Sequence, residues 1–507
     1  MFLNKKTNYV NIGNEIKDVC DGVIRLDKCF WSICIALSLS MAFVLSLLLY
    51  TRFADIPTRV AIENQYASIH NMSFPAITIC SPNQITISSA KHFQKTLVEG
   101  NITVDLKSVL PRLLGFYELF GDKRPEELAN LQSLITLNRY SDLVFHKMMA
   151  RPFGISAFSP YQIVQALEVM GMVPQSCEDF LKLCYLKQKP YPSCRGLFQP
   201  ILTKHGMCCI FNSIYKYNYK TSFRNERVQN FEPYKASVGG MGDDLTVVTD
   251  YEPNNALSGT LVLAGAVRIM FTEPNEFPAD DESNLVHPYS ESFHSIQATY
   301  TYCSDEVTTL PYWSRQCYFH DEYNLPYFKE FHNSECDLLC FVHAVESFCH
   351  CTMIYTPHLR AHRACNITSI DCIVQTTLEM NKWHRADSCE CLRDCVSVRY
   401  HVEVSIGNLQ ALPYLVHNLY SGIEFNKSTS ILHFYYRNGV YSRQKQETVM
   451  SLISLSSNLG GVFGLCMGCS VITVVEVIFY IHSAIKNKVR AHLQSLRRYK
   501  NKVNIMK

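Results

Sequence analysis

No residue between positions 448 and 475 is charged, and this run constrains the chain more than any other feature of its sequence. A helix of that length, at about 1.5 Å per residue, exceeds the roughly 30 Å hydrocarbon core of a bilayer. The sequence therefore predicts a membrane-spanning helix over residues 448–481. Within it, Gly460, Gly464 and Gly468 form a stripe of small residues on one helix face, along which a neighbouring helix backbone can approach closely.

The end of this stripe carries groups that suit a passing ion. Gly468, Cys469 and Ser470 are three small residues in a row, so copies of the chain that meet at an axis can turn backbone carbonyls or a hydroxyl toward a cation. Glu476 is the one ionisable group in the second half of the span, and an acidic side chain at that depth usually faces a bundle interior or a watery path. Plain helix packing is the alternative interpretation of the glycines.

Another apolar segment, at residues 30–51 near the N-terminus, is also long enough to span a bilayer. A cleaved signal peptide is the alternative, but the preceding segment is too long and too polar, so we predict a retained first span. Basic residues precede this span and follow the other one, which predicts a cytoplasmic arm at residues 1–29 and a cytoplasmic tail at residues 482–507. The basic tail is expected to contact membrane lipids, and residues 52–447 are expected outside the cell.

Cysteine usage and charge narrow the class of protein. The chain has 22 cysteines, mostly outside the apolar spans, which indicates an oxidising compartment and a disulfide-bonded extracellular domain. A cytosolic protein rich in zinc sites is the alternative, but the spacings lack the Cys-x2-Cys pairs that such sites favour, so no metal site is expected. The net charge of +2 gives no sign of nucleic-acid binding. Glycosylation sequons agree with an extracellular segment and begin at Asn71, Asn101, Asn366 and Asn426.

Three parts of the sequence around the apolar run at residues 448–475 together resemble one family of channels. They are Leu-Gly-Gly at residues 459–461, Gly-x-Ser at 468–470 and the later Glu476, and their order resembles the second membrane span of the degenerin/epithelial sodium channel family. The resemblance implies that residues 468–470 form a selectivity filter for sodium, contributed once by each subunit of a trimer. It also implies that Ser457 occupies the gating position, where a small side chain lets the pore helices close.

Motifs outside the second span resemble the same family. Residues 74–80 form a β-branched run that predicts a strand and resembles the family's first palm strand, and residues 206–212 resemble its Gly-x-Cys-x-x-Phe-Asn return. Trp313 resembles the family's tryptophan at the wrist, where extracellular loops touch the first span; a tryptophan in an ordinary core is the alternative. Gly22 matches the glycine of a gating His-Gly motif, with Asp21 in place of the histidine, and an ordinary turn at glycine is the alternative.

The resemblance also implies a disulfide connectivity, which the cysteine spacing alone leaves open. The implied pairs are Cys80–Cys208, Cys184–Cys194, Cys317–Cys395, Cys336–Cys391, Cys340–Cys389, Cys349–Cys372 and Cys351–Cys365. Cys177, Cys209 and Cys303 remain between the spans, so at least one of them is expected to stay a thiol, to pair between subunits or to rearrange a pair. Residues 90–176 lack cysteine, are rich in leucine and are predicted to be mostly helical.

These features predict an integral membrane α+β protein in which two transmembrane helices flank a large disulfide-rich extracellular domain with a β-sheet palm and peripheral helices. The resemblance implies a subunit of a trimeric, sodium-permeable, amiloride-sensitive channel at the plasma membrane, gated by its extracellular domain. Its partners would be identical or related subunits, no cofactor is expected, and the extracellular stimulus is unknown. The cysteine pattern most resembles that of the insect pickpocket branch of the family.

Other classes of protein remain as alternatives. A membrane-tethered cysteine-rich receptor or a non-conducting accessory subunit would explain the extracellular segment, but would leave the glycine stripe and Glu476 without a purpose. An ATP-gated trimeric channel would need a basic phosphate pocket and does not have Gly-x-Ser in this context. An ectoenzyme is disfavoured because no Gly-x-Ser-x-Gly or His-Glu-x2-His motif occurs.

Overall fold

The computed structural model of the chain describes residues 30, 32–54, 58–91, 174–218, 224–235, 238–241, 245–258, 261–279, 283–328, 330–353, 355, 370–382, 391–414, 420, 425–468, 472, 475–476 and 478–490. The longer helices with both ends in these ranges are α1 Ser32–Ala54, α2 Asn333–Cys349, α3 Ile370–Lys382 and α4 Leu452–Met467. One-turn helices are Cys177–Phe180, Asp305–Thr308 and Tyr312–Arg315. Most of the predicted helical segment at residues 90–176 lies outside the described ranges.

The strands are β1 Thr58–Ser68, β2 Ala76–Cys80, β3 Leu181–Leu186, β4 Lys189–Pro190, β5 Phe198–Thr203, β6 Gly206–Phe211, β7 Tyr215–Asn218, β8 Arg224–Arg227, β9 Leu245–Asp250, β10 Val267–Thr272, β11 Asn284–Val286, β12 Ser290–Cys303, β13 Cys317–Tyr318, β14 Arg393–Asp394, β15 Ser397–Asn408, β16 Thr429–Tyr436 and β17 Val440–Thr448. They form an eight-stranded sheet, a five-stranded sheet and two ribbons in the described residues. The larger sheet has the order β1-β17-β12-β16-β9-β3-β4, with β15 also on β12, and the smaller has the order β11-β10-β2-β6-β5. The ribbons are β13–β14 and β7–β8.

The chain divides into two compact units. The helical unit comprises Met1–Arg59, Ser304–Arg315 and Gln446–Lys507, and it contains α1 and α4. The sheet unit comprises Val60–Cys303 and Gln316–Lys445, and it contains both large sheets with α2 and α3.

Helix α1 is the one helix among the described residues that is long and apolar enough to cross a membrane. Its large apolar side chains face outward; Phe43, for example, is 68% exposed. Helix α4 is apolar too but shorter. Surfaces of this kind suit lipid or other helices rather than water. The apolar N-terminal helix that the sequence predicts is therefore present.

Strand β2 occupies the middle of the five-stranded sheet, and all of its residues are buried. It follows Pro75, and its β-branched residues pack well on a sheet that is covered on both faces. On one face, Ile77 and Ile79 join a hydrophobic cluster with Ile296 of β12 and Phe434 of β16. This cluster is the core between the two sheets.

The other face of β2 packs toward helix α2. Ala76 and Cys80 belong to a second hydrophobic cluster with Leu338, Val342 and Val345 of that helix. The five-stranded sheet therefore lies between the larger sheet and α2. The β-rich, disulfide-bonded domain that the sequence predicts is observed.

Disulfides hold the sheet unit together. The described residues contain Cys80–Cys208, Cys184–Cys194, Cys317–Cys395, Cys336–Cys391 and Cys349–Cys372, which coincide with pairs that the family resemblance implies. Cys340 and Cys351 are also disulfide-bonded. Their predicted partners, Cys389 and Cys365, lie outside the described residues.

The family resemblance leaves three cysteines between the spans without a partner, and two of these form a further disulfide. Cys177 and Cys209 form a disulfide with a Cα–Cα distance of 5.7 Å. Cys303 is a buried thiol whose Sγ lies 3.3 Å from the carbonyl oxygen of Cys395. The expectation that at least one of the three stays a thiol therefore agrees with the structure.

Candidate pore and gating residues

Helix α4 begins and ends at residues that cap it. Ser451 precedes the helix, and its hydroxyl accepts a hydrogen bond from the backbone N–H of Ser454 at 3.1 Å. The helix ends at Gly468, whose φ of 65° and ψ of 18° are left-handed and whose N–H donates to the Gly464 carbonyl at 3.0 Å. Left-handed backbone costs a residue with a Cβ about 1–2 kcal/mol, so glycine fixes the point at which the helix stops.

This helix end falls inside the predicted second span, at the first residue of the predicted filter. Helical backbone is present again at residues 472, 475–476 and 478–490. Cys469 and Ser470 lie outside the described residues, whereas Glu476 is helical and exposed. An interruption at this point leaves carbonyls of the last turn without helical donors, and inside a membrane such groups are tolerated where they line a cavity or face protein.

The glycine face of α4 is open at Gly460 and Gly468 within the described part of the chain. A Cβ built at Gly460, Gly461 or Gly468 would meet no described atom within 4 Å. Ser457, the predicted gate residue, is exposed, and Leu465 is 81% exposed. The face is therefore available to helices of other chains or to lipid.

One polar contact joins α1 to α4 near this helix end. The hydroxyl of Ser38 donates a hydrogen bond of 2.7 Å to the carbonyl oxygen of Cys466. That carbonyl belongs to the last turn of α4, where the helix itself offers no donor. Hydrogen bonds between membrane helices contribute about 1 kcal/mol. Sequence reasoning missed Ser38, because no local pattern separates it from the other serines of the first apolar segment.

Gln446 joins three segments of the helical unit through buried hydrogen bonds. Its side chain is 1% exposed, and its Nε2 donates to the Thr58 hydroxyl at 2.9 Å and to the Arg315 carbonyl oxygen at 3.3 Å. The Gln446 carbonyl accepts from the N–H of Ser304 at 2.9 Å. Thr58 follows α1 and Gln446 precedes α4, so this side chain couples both helices to the segment Ser304–Arg315. Sequence reasoning missed it as well.

Trp313, the predicted wrist residue, lies in the one-turn helix Tyr312–Arg315 of that same segment. Its side chain is 64% exposed, which does not fit a tryptophan packed in an ordinary core. Its ring contacts Tyr312 edge-on, with 5.1 Å between the ring centroids. The helix that carries Trp313 is thus the one that Gln446 holds through the Arg315 carbonyl.

A histidine of β12, His294, is buried in the sheet unit and packs against β16. His294 is fully buried, stacks on Phe434 with 4.8 Å between ring centroids, and has Nε2 3.1 Å from the Ser292 hydroxyl. Burial, and then the charge of nearby His433, lower the pKa of His294 to about 3. His433 in turn lies 2.9 Å from a carboxylate oxygen of Glu291. His294 is therefore neutral at physiological pH, and acid must disturb this part of the core before it is protonated.

Two glutamates of the sheet unit, the half-buried Glu273 and the fully buried Glu335, have raised pKa values. Glu273 accepts a hydrogen bond from the N–H of Val398 at 2.6 Å, and burial raises its pKa to about 8. Glu335 accepts one from the N–H of Phe277 at 2.8 Å, and burial raises its pKa well above the usual range. The acids that face both, and raise the pKa values further, are Glu276, Glu330 and Asp394. Perturbed groups of this kind are candidates for a response to pH.

The remaining predicted site residues lie apart from the pore. Asn426 is exposed in the turn before β16, where its N–H donates to the Thr429 hydroxyl at 3.2 Å. Asn71 is the last residue of the 3-10 turn Ile69–Asn71. Gly22, Asn101 and Asn366 lie outside the described residues.

Comparison of the sequence with known proteins identifies the family of the chain. A family model described as amiloride-sensitive sodium channel matches residues 14–480. Sodium channel protein Nach of Drosophila ananassae is 27% identical over 444 residues, which cover 87% of this chain and 78% of that protein. Pickpocket protein 28 of Drosophila melanogaster is 24% identical, covering 87% and 73%, and acid-sensing ion channel 4-B of Danio rerio is 23% identical, covering 92% and 72%. The chain belongs to the amiloride-sensitive sodium channel family, the degenerin/epithelial sodium channel family that its motifs resemble.

Proposed function

We propose that the chain is one subunit of a trimeric, sodium-permeable channel of the plasma membrane that amiloride blocks and the extracellular domain gates. The observation that carries the proposal is the left-handed end of α4 at Gly468, within an apolar run of a chain of this family. The trimer contains identical copies or related subunits. The open glycine face of α4 supports close approach of the pore helices.

The proposed topology has two membrane spans, at residues 30–51 and 448–481. Residues 1–29 and 482–507 are then cytoplasmic, and the basic tail contacts lipid headgroups. Residues 52–447 are extracellular, and the glycosylation sites in them are Asn71, Asn101, Asn366 and Asn426. The outward-facing apolar surface of α1 supports the first span.

Conduction depends on residues 468–470 from three copies around the axis. Backbone carbonyls and the Ser470 hydroxyl replace part of the hydration shell of the ion, which favours a small monovalent cation, sodium. The helix interruption at Gly468 supports this, because it supplies carbonyls that the helix does not use. Glu476 lies toward the pore or between helices, where its charge attracts cations.

Gating separates the pore helices near Ser457. The hydrogen bonds of Gln446 to Thr58 and Arg315 support a route by which movement near Trp313 reaches both α1 and α4. Gly22, just before the first span, belongs to the cytoplasmic side of the gate. The proposed activity is ion transport and not enzymatic catalysis.

The gate assignment is tested with Ser457→Val. Wild type, Ser457→Val and the neighbouring Ser456→Val are expressed in cells without endogenous current of this type, and surface protein is measured by labelling. We expect a standing amiloride-blocked current with Ser457→Val, because the larger side chain obstructs closure, and a current at the wild-type level with Ser456→Val. If Ser457→Val reaches the surface as trimers and carries no current, the chain is a non-conducting accessory subunit or a receptor.

A further inference from the structure

Three metal-binding side chains converge in the sheet unit from three separate segments. His320 follows β13, His332 immediately precedes α2, and Asp394 ends β14. One nitrogen of each imidazole and one carboxylate oxygen of Asp394 all lie within 4.8 Å of one another. The two imidazole rings are 5.1 Å apart between centroids. Two histidines and a carboxylate form a ligand set that Zn²⁺ sites use when a fourth position stays open.

These segments are fixed relative to one another by their own bonds. Strands β13 and β14 pair with Tyr318 opposite Asp394. The N–H of Phe331 donates to the His320 carbonyl at 3.0 Å, and the N–H of Asn333 donates to Asp394 Oδ1 at 3.1 Å. The same segments are cross-linked by the disulfides Cys317–Cys395 and Cys336–Cys391. A ligand that bridges the three side chains therefore has little chain entropy left to remove.

The hydrogen bond of His320 prepares one of its ring nitrogens for a metal. Nδ1 lies 2.9 Å from the carbonyl oxygen of Phe331. A carbonyl only accepts, so Nδ1 carries the hydrogen and the lone pair of the neutral ring is on Nε2. Histidines that bind metals usually donate their other ring nitrogen to a carbonyl or carboxylate in this way, which fixes the orientation of the ring.

His332 supplies the second, independent indication of a ligand. Its side chain is 3% exposed, and its Nε2 is buried with no hydrogen-bond partner among the described atoms. Buried ring nitrogens normally have a hydrogen-bond partner. A ring nitrogen without one, beside two other side chains that can bind a metal, therefore indicates a bound ion. Burial, and then the charge of His320, lower the pKa of His332 to about 4, which keeps the imidazole neutral and able to donate a lone pair.

Charge and access also fit a cation. Asp394 contributes a carboxylate, and the negative charge of Glu330 also acts on His332. The basic groups whose charges act on Asp394 are His320 and then Arg399. His320 and Asp394 are half-buried, so an ion can enter from solvent between them and reach the buried His332.

We propose that His320, His332 and Asp394 form a binding site for a divalent transition-metal ion of the Zn²⁺ class, with water in the fourth position. Ligand atoms around a tetrahedral Zn²⁺ lie about 3.3 Å apart, as follows from bonds of about 2.0–2.1 Å. The three side chains therefore need to close on the ion by at most about 1.5 Å. The bound ion joins the loop after β13, the start of α2 and β14, and so stiffens the attachment of α2 to the rest of the sheet unit.

The proposal is tested on the full chain, purified in detergent and freed of metal with EDTA. The protein is titrated with Co²⁺ alone while the visible absorption spectrum is recorded, and Zn²⁺ is then added. We expect a ligand-field band of four- or five-coordinate Co²⁺ that saturates at one ion per chain and is abolished by Zn²⁺. His332→Ala should remove this band, and His320→Ala and Asp394→Asn should weaken Zn²⁺ binding at least tenfold.

His343→Ala is the matched control, because His343 is an exposed histidine of α2 outside the three ligands. It should bind both ions as wild type does. His320→Ala and Asp394→Asn change half-exposed side chains, so they decide the matter if His332→Ala does not fold. The proposal is overturned if these variants keep the wild-type stoichiometry and affinity, or if His343→Ala loses the band to the same extent. None of these measurements needs ion conduction.

Discussion

The side-chain amide of Gln446 lies 2.9 Å from the hydroxyl of Thr58, and this hydrogen bond joins the strand that leads into α4 to the strand that follows α1. The same nitrogen donates to the Arg315 carbonyl, at the end of the helix that carries Trp313. Water cannot replace the donor, because the side chain is buried. One residue therefore holds together the chain after α1, the chain before α4 and the segment that carries Trp313.

Replacing Gln446 should weaken the helical unit. Gln446→Leu removes both side-chain hydrogen bonds and leaves the buried Arg315 carbonyl without this donor, which should lower the free energy of unfolding by about 1–3 kcal/mol. The measurement is the apparent melting temperature of the detergent-purified protein. Gln297→Leu is the control, because Gln297 is exposed on β12. Equal melting temperatures for the two variants would contradict the role given to Gln446.

The left-handed end of α4 predicts a specific effect of a methyl group. Gly468→Ala places a Cβ on backbone with φ of 65°, at a cost of about 1–2 kcal/mol, and should favour continuation of the helix through the filter. In the Ser457→Val background we expect the amiloride-blocked current per surface trimer to fall severalfold. Gly461→Ala, at a helical position that is equally open, carries no such backbone cost and should lower the current less than Gly468→Ala does. Equal currents for the two alanine variants would speak against an interruption at Gly468.

The unpredicted disulfide Cys177–Cys209 should be detectable and stabilising. It closes a loop with a sequence separation of 32, for which chain-entropy models give about 3–4 kcal/mol. Mass spectrometry of the unreduced, digested protein should find the peptides of Cys177 and Cys209 linked. The double variant to alanine should lower the melting temperature, while Cys34→Ala, which removes a thiol of α1, should not. Alkylation of both residues without reduction would refute the pair.

This disulfide also illustrates what sequence reasoning can and cannot reach. Cys208 and Cys209 are neighbours on β6, so their side chains point to opposite faces, and each packs in a different hydrophobic cluster. That alternation is readable from the sequence, and it indicates that Cys209 does not face the same segment as Cys208. The identity of Cys177 as the partner is not, because it depends on packing between segments far apart in the chain.

Features set by local chemistry were the predictable ones. The β-branched run before Cys80 forms the predicted strand, and the apolar segment before Ala54 forms the predicted helix. The sequence predicts one helix over residues 448–481, whereas α4 ends at Gly468, where glycine takes up a positive φ that a residue with a Cβ adopts only at a cost. Gln446 and the group of His320, His332 and Asp394 left no local signal, because each acts through partners from other segments.

Acid should destabilise the sheet unit through His294. Its pKa is about 3 in the folded chain and near 6.5 when unfolded, so its contribution is complete above pH 6.5 and is lost progressively as pH falls toward 3. At pH 5 the loss is about 2 kcal/mol. His294→Phe keeps the stack on Phe434 and cannot take up a proton, so its melting temperature should fall less between pH 7 and pH 5 than that of wild type.

The control for this prediction is His401→Phe, since His401 is exposed on β15. This variant should follow the wild-type pH dependence. The charged and titratable groups around His294 are His433 and its partner Glu291, and both are kept in the two variants. If His294→Phe and wild type lose stability in parallel as the pH falls, protonation of His294 is not responsible.

The proposed function rests on a sodium-permeable pore whose filter includes Ser470. Its most direct test is the reversal potential of the amiloride-blocked current of Ser457→Val when external sodium is replaced by potassium, with and without Ser470→Ala. We expect a large negative shift for Ser457→Val, and a clearly smaller shift once the hydroxyl is removed. The same shift in both variants, or no current from trimers that reach the surface, would contradict it.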